Sequence, residues 1–148
     1  MLPPDVPIYL DHNATTPVLP EVFETMLPYL STEFGNPSST HPAGQRARIA
    51  VQTARSRVAA LLCCDADEVF FTSGGTEANN LAIRGVAEAA VSRTHCVTSV
   101  VEHPATTSPC RHLERNRWRV DWLAVDANGR VRVDVAAERI SDATSLVT

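Results

Sequence analysis

Lysine is missing from this 148-residue sequence, and all 13 of its basic residues are arginines. A protein that binds a carbonyl compound as a Schiff base uses a lysine amine, so no side chain of this sequence can form that bond. The longest uninterrupted apolar run, Val58 to Cys64, is far shorter than the ~20 residues of a membrane-spanning helix. The start of the sequence also lacks the basic-then-apolar pattern of a signal peptide. We therefore expect a globular, cytoplasmic protein with no membrane partner.

The few cysteines form no recognisable site. They show neither a CxxC pair nor the spacing of a zinc site, so we expect no metal. Free cysteine is usually buried, which predicts reduced thiols in the core. No sulfur-carrying nucleophile can be identified among the four, which are Cys63, Cys64, Cys96 and Cys110.

The charge balance is mildly acidic, with a net charge of −4. This value gives no electrostatic reason to expect nucleic acid as a partner. A local basic stretch between Arg111 and Arg119 is interrupted by Glu114 and lacks interleaved aromatic residues. We interpret it as the solvated faces of a helix and a strand.

Turn residues occur at intervals that suit alternating helices and strands, which predicts an α/β fold. Residues 1–17 are predicted to form an irregular arm, followed by a short helix and then a longer helix from Pro42 to Leu62. A later helix is predicted to begin with Ser108 as its N-cap and Pro109 in its first turn, and Asp134 is predicted to cap another. Strands are predicted at 69–72, 95–101, 118–124 and 144–148.

The strongest local motif is the glycine turn Ser73-Gly74-Gly75-Thr76, which follows an apolar run and precedes a helical pattern. Glycines allow a ligand to approach the backbone closely, and the first N–H groups of a helix favour an anion such as phosphate. Gly75 and Thr76 would be the donors. An ordinary tight turn between a strand and a helix is the alternative. The spacing matches neither the dinucleotide-binding nor the P-loop motif.

His103 follows the predicted strand at 95–101 and is the second candidate site residue. Ligands of parallel sheets bind beyond the carboxyl ends of the strands, so His103 and Gly75 would share one edge if the strands are parallel. An imidazole there could stack on a flat ring or transfer protons. The alternative is an ordinary loop side chain. His95 and His112 are expected to be exposed or satisfied in the core.

In this order, the motifs resemble the N-terminal portion of the cysteine desulfurases, which belong to the class V aminotransferases. The matching segments are IYLDHNATTP at 8–17, FGNPSS at 34–39, FTSGGTEANNLAI at 71–83 and VEHPA at 101–105. The resemblance implies a partial large domain of the aspartate aminotransferase-like type, with a mostly parallel sheet flanked by helices. Residues 1–17 would be its N-terminal arm and residues 18–148 an incomplete domain that binds pyridoxal 5′-phosphate.

The resemblance also implies roles for individual residues. Gly75 and Thr76 would hold the cofactor phosphate, and His103 would stack on its ring and act in catalysis. The resemblance also implies that the substrate entrance is lined by Asn13, Ala14, Thr15 and Asn36. It supports this role less strongly, because such contacts change with closure of the site and with subunit arrangement. The implied reaction takes sulfur from L-cysteine and leaves alanine, within a homodimer that serves a sulfur acceptor or scaffold protein in iron–sulfur cluster assembly.

The resemblance places the Schiff-base lysine and the persulfide cysteine beyond Thr148, and the sequence ends inside a strand pattern. We therefore expect the chain alone to be incapable of turnover. A selenocysteine lyase shares the same motifs and is one alternative. A non-catalytic truncated or assembly fragment is another. A nucleotide-binding module is disfavoured because the phosphate-loop sequence is missing.

Overall fold

The computed structural model describes residues 7–90 and 92–148, so the first six residues of the predicted arm lie outside the described part. The chain forms two compact units, Met1–Phe70 and Phe71–Thr148. The first unit contains helices α1 and α2 and a short 3-10 helix. Their bounds are Pro20–Ser31, Pro42–Leu62 and Ala66–Glu68.

Helix α2 has the bounds that its sequence pattern predicts. His41 is its N-cap and accepts a hydrogen bond at Nδ1 from the N–H of Gly44, at 3.4 Å. Pro42 occupies the first turn, where a missing N–H costs nothing. The helix ends at Cys63, which adopts the left-handed conformation with φ 54°. Helix α1 was also predicted, although its apolar side, including Phe23 and Met26, is exposed in this chain.

The second unit alternates helices and strands. The described residues form a parallel sheet in the order β2-β1-β3, which confirms the predicted α/β class and parallel strands. Helix α4 connects β1 to β2, and α5 connects β2 to β3. The bounds are α3 Gly75–Ala89, β1 His95–Ser99, α4 Pro104–Arg115, β2 Arg119–Leu123, α5 Val133–Arg139 and β3 Thr144–Val147.

The core of this unit lies between the sheet and the pair α3 and α4. Ile83 of α3, Cys96 of β1, and Cys110 and Leu113 of α4 form one buried cluster. Trp118, Val120, Trp122 and Leu146 pack around it. The helices therefore bury their apolar faces against one side of the sheet.

Three predictions about the secondary structure differ from what the structure shows. Residues 69–72 do not form a strand among the described residues, because an extended, apolar segment becomes a strand only beside a hydrogen-bonding neighbour. Helix α4 begins at Pro104 rather than Ser108, since His103 and Pro104 already supply a cap and a first-turn proline. Pro109 lies inside α4, where it removes one backbone hydrogen bond. The prediction that Asp134 caps α5 is wrong, because the helix begins at Val133, so that Arg132 is the N-cap and Asp134 lies in the first turn.

Candidate functional site

The glycine turn leads directly into α3, with Gly74 as its N-cap. Among the described residues no side chain caps this helix, so the first N–H groups, including those of Gly75 and Thr76, have no capping partner. A Cβ on Gly74 or Gly75 would have no described atom within 4 Å. The turn therefore presents backbone donors, and the positive end of the helix dipole, to open space.

Glu77 holds the beginning of this turn. Its Oε2 accepts hydrogen bonds from the Ser73 N–H at 2.7 Å and from the Ser73 hydroxyl at 2.6 Å. These two bonds lower the pKa of Glu77, so the carboxylate stays ionised at neutral pH. Because Glu77 binds Ser73, it organises the turn without capping Gly75 or Thr76.

His103 is the N-cap of α4, and its side chain is exposed. Its Nδ1 accepts a hydrogen bond from the Ala105 N–H at 3.0 Å. A nitrogen that accepts in this way carries no proton, so the neutral ring carries its proton on Nε2. The cap therefore fixes both the tautomer and the orientation of the imidazole, while the ring stays accessible.

Helices α3 and α4 lie side by side and run in the same direction. Asn79 of α3 donates from Nδ2 to Oγ1 of Thr106 in α4, at 3.1 Å. Further along both helices, Ile83 and Cys110 belong to the same buried cluster. Ile83 and Cys110 each lie four residues after Asn79 and Thr106, so the two helices are parallel and their N-terminal turns are neighbours. The structure thereby brings Gly75, Thr76 and His103 to the same end of one helix pair.

The four other predicted site residues lie in the first unit. Asn13, Ala14 and Thr15 are exposed, and the N–H groups of Ala14 and Thr15 bind the Asp11 carbonyl oxygen at 3.0 and 3.5 Å. Asn36 is exposed as well, and its Oδ1 accepts a hydrogen bond from the Ser38 N–H at 2.9 Å. Each of these segments has a turn structure of its own, and their role as substrate contacts stays a prediction.

The cysteines occupy two kinds of environment. Cys96 and Cys110, here called the buried thiol pair, are fully buried. The hydrogen bond to Cys110, together with burial, raises the pKa of Cys96, so its thiol stays protonated. The prediction of burial is wrong for Cys63, which is exposed because it ends α2 at the surface, and Cys64 is half-buried. Within residues 7–90 and 92–148, no three His, Cys, Asp or Glu side chains lie together in a way that could hold a metal ion.

His95 belongs to a polar cluster at the opposite, amino end of β1. It is buried, with Nδ1 2.8 Å from Oγ1 of Thr144 and Nε2 3.5 Å from Oδ2 of Asp121. The hydrogen bonds from Arg119 lower the pKa of Asp121, and the positive charge of Arg139 acts in the same direction. The cluster joins the three strands, and among the described residues the ring makes a hydrogen bond only through Nδ1, while Nε2 lies within ion-pair distance of Asp121. We assign this cluster a structural role.

Three residues of the candidate site were not singled out from the sequence: Glu77, Asn79 and Thr106. Glu77 is the third residue of α3, a position from which glutamate often binds a backbone N–H at the start of a helix, and this position could have indicated its contact with Ser73. The bond between Asn79 and Thr106 joins residues 27 positions apart and has no local signature.

Comparisons with known proteins agree on one family. A family model described as aminotransferase class-V matches residues 8–148. Cysteine desulfurase IscS of Rickettsia felis is 46% identical over 147 residues, which are 98% of this chain and 36% of that protein. A solved NifS-like protein superposes with a TM-score of 0.88 at 33% identity, over 95% of this chain and 39% of that one. The structure described as SspA in complex with cysteine gives a TM-score of 0.85 at 36% identity, over 94% and 40% of the two chains.

Proposed function

Because this chain belongs to the class V aminotransferase family, we propose that it supplies the phosphate-binding turn and the ring-stacking histidine of a cysteine desulfurase that uses pyridoxal 5′-phosphate. The chain corresponds to the N-terminal portion of such enzymes and spans little more than a third of their length, 36% for the Rickettsia felis relative. One observation carries the proposal: the uncapped start of α3 adjoins the start of α4, which bears His103.

The residues at the start of α3 fit the cofactor phosphate. A phosphate needs several donors and favours the positive end of a helix dipole, and the N–H groups of Gly75 and Thr76 meet both needs. The Thr76 hydroxyl adds a further donor in the same turn. The open space at the Cβ positions of Gly74 and Gly75 lets an anion approach the backbone.

His103 fits the cofactor ring. Its imidazole is flat and exposed, and the cap at Nδ1 holds it in one orientation. A ring stacked in this position would keep Nε2 available to hold or release a proton. When bound, pyridoxal phosphate supplies an electron sink for negative charge that develops on a substrate carbon. His103 would keep that ring in place and manage protons beside it.

The proposed substrate is L-cysteine, which also appears in the description of the similar structure of SspA. The reaction leaves alanine and transfers the sulfur to an enzyme cysteine as a persulfide. These 148 residues contain no lysine, so none of their side chains can supply a Schiff-base amine. We further propose a cytoplasmic homodimer that passes its sulfur to an acceptor or scaffold protein. Among the described residues, no helix is long and apolar enough to cross a membrane.

A paired substitution tests this function in the protein at its natural length. His103→Asn removes the imidazole but keeps a good N-cap residue. His41→Asn makes the same change in the matching His-Pro-Ala sequence at the start of α2. With pyridoxal phosphate and L-cysteine, we expect His103→Asn to lower alanine formation about 100-fold or more, the usual contribution of a positioned acid–base group. His41→Asn should leave it unchanged.

The possible failures can be told apart. If the unsubstituted protein forms no alanine from L-cysteine, the proposed reaction is wrong. If it does form alanine and the two variants behave alike, the role given to His103 is wrong while the reaction stands.

A further inference from the structure

The hydrogen bond between Asn79 and Thr106 is a polar contact in a largely apolar helix interface. Thr106 is only 4% exposed, and Asn79 is half-buried. The 3.1 Å bond between them joins the second turn of α3 to the first turn of α4. Two polar side chains that bury each other in this way specify one relative position of their helices, since any slip leaves them unsatisfied.

Each partner is tied to one of the proposed cofactor contacts. The Thr106 N–H binds the His103 carbonyl oxygen at 2.8 Å, in the same helical turn. Asn79 lies one turn after Thr76 in α3, and its neighbour Asn80 donates to the Thr76 carbonyl oxygen at 2.9 Å. The bond therefore connects the helical turn that begins at His103 with the turn that follows the proposed phosphate-binding residues.

A ligand with a phosphate at one end and a flat ring at the other would touch both helices at once. Once one end of the ligand is bound, the other end meets its own contact at a high effective concentration. That concentration, and with it the affinity of the ligand, depends on the distance between the two contacts. A ligand that touches only one helix gains nothing from that spacing. The two kinds of ligand should thus respond differently when the helices lose their fixed position.

We propose that Asn79 and Thr106 are a positioning pair that sets the spacing between the phosphate-binding turn and His103. The pair acts through the helices and does not itself touch the ligand. This inference rests on the proposed function, because it assumes that Gly75, Thr76 and His103 bind one molecule. It extends that function by assigning the spacing to a single interhelical hydrogen bond.

Binding of three probes to the protein at its natural length tests the pair: pyridoxal 5′-phosphate, inorganic phosphate and pyridoxal. Thr106→Val removes the hydroxyl at nearly constant shape. We expect it to weaken pyridoxal phosphate binding about fivefold, the equivalent of one ordinary hydrogen bond. Binding of phosphate and of pyridoxal should not change. Thr106→Ser keeps the hydroxyl and should restore the affinity.

Two further variants complete the design. Thr107→Val makes the same substitution at the adjacent half-buried position and leaves the Asn79 contact intact, so binding should equal that of the unsubstituted protein. Adding Asn79→Leu to Thr106→Val should cost little more than Thr106→Val alone, because one bond is removed in both cases.

Each contrary outcome has a distinct meaning. If Thr106→Val weakens all three probes equally, or none of them, the positioning role is overturned. Failure of Thr106→Ser to restore binding would overturn it as well. If the unsubstituted protein binds neither phosphate nor pyridoxal phosphate, the proposed function itself fails and the inference fails with it.

Discussion

Replacing Gly75 with alanine separates the folding of α3 from its proposed binding of an anion. In the folded chain the new methyl group would meet no described atom within 4 Å, and the φ of Gly75 lies outside the left-handed region. Alanine also favours a helix over glycine by up to about 1 kcal/mol. The variant should therefore be at least as stable as the unsubstituted protein, with an unchanged or slightly higher Tm.

We expect a large effect on binding, because the methyl group would add bulk beside the N–H groups of Gly75 and Thr76, the proposed donors to the anion. Loss of one hydrogen bond to a charged group costs about 1.5 to 3 kcal/mol. This loss corresponds to an increase in Kd of about 10- to 150-fold. Both inorganic phosphate and pyridoxal phosphate should show it, since both use the same donors.

Titration calorimetry of the protein at its natural length would measure the two affinities, and thermal unfolding would measure Tm. Gly85→Ala is the matched control, because Gly85 lies in the same helix and its Cβ position is equally open. It should raise stability slightly and leave both affinities unchanged. Full affinity in Gly75→Ala would refute the assignment of the turn as a phosphate site. A loss of affinity that accompanies a fall in Tm would refute the reasoning that separates the two effects.

Three further predictions concern the scaffold. Gly35→Ala should lower the stability of the first unit by about 1 to 3 kcal/mol, measured by chemical denaturation, because its Cβ would clash with the Ala43 carbonyl oxygen; equal stability would contradict this. The hydrogen bonds from Arg119 lower the pKa of Asp121, so its contribution to the free energy of unfolding is complete at neutral pH and is lost progressively as the pH falls from about 5. Asp121→Asn should therefore flatten the plot of stability against pH below about 5. A thiol reagent should modify exposed Cys63 in the folded protein and reach the buried thiol pair only on unfolding; equal rates at all thiols would contradict the burial.

The sequence predicted the elements whose signals are local. Helix α2 has the predicted bounds because apolar spacing, a first-turn proline and a following turn all agree. Strand β1 was predicted from its β-branched residues. Such residues are typical of a strand in a parallel sheet, and all five residues of β1 are buried. The segment at 69–72 has a similar composition but is not a strand, since composition does not report whether a neighbouring strand is present. Helix α4 begins earlier than predicted because two prolines, Pro104 and Pro109, offered competing starts.

The candidate site divides in the same way. The glycine turn and His103 are visible in the sequence, because a helix start needs particular residue types at particular positions. The bond between Asn79 and Thr106 is invisible there, since it depends on how two helices pack. The carboxylate of Glu77 is an intermediate case, because its contact with Ser73 spans one helical turn.

The shared location of the glycine turn and His103 follows from helix packing rather than from the strand that was expected before Gly75. Helix α4 follows β1 within a few residues, so its N-terminus lies near the carboxyl end of that strand. Helix α3 runs parallel to α4, and the bond between Asn79 and Thr106 sets their register close to those N-termini. The start of α3 therefore reaches the same edge of the sheet without a preceding strand to guide it. Of the two helix N-termini at that edge, the one of α4 is capped by His103, whereas the one of α3 has no side-chain cap. The free N–H groups and the positive end of the α3 dipole favour an anionic ligand there.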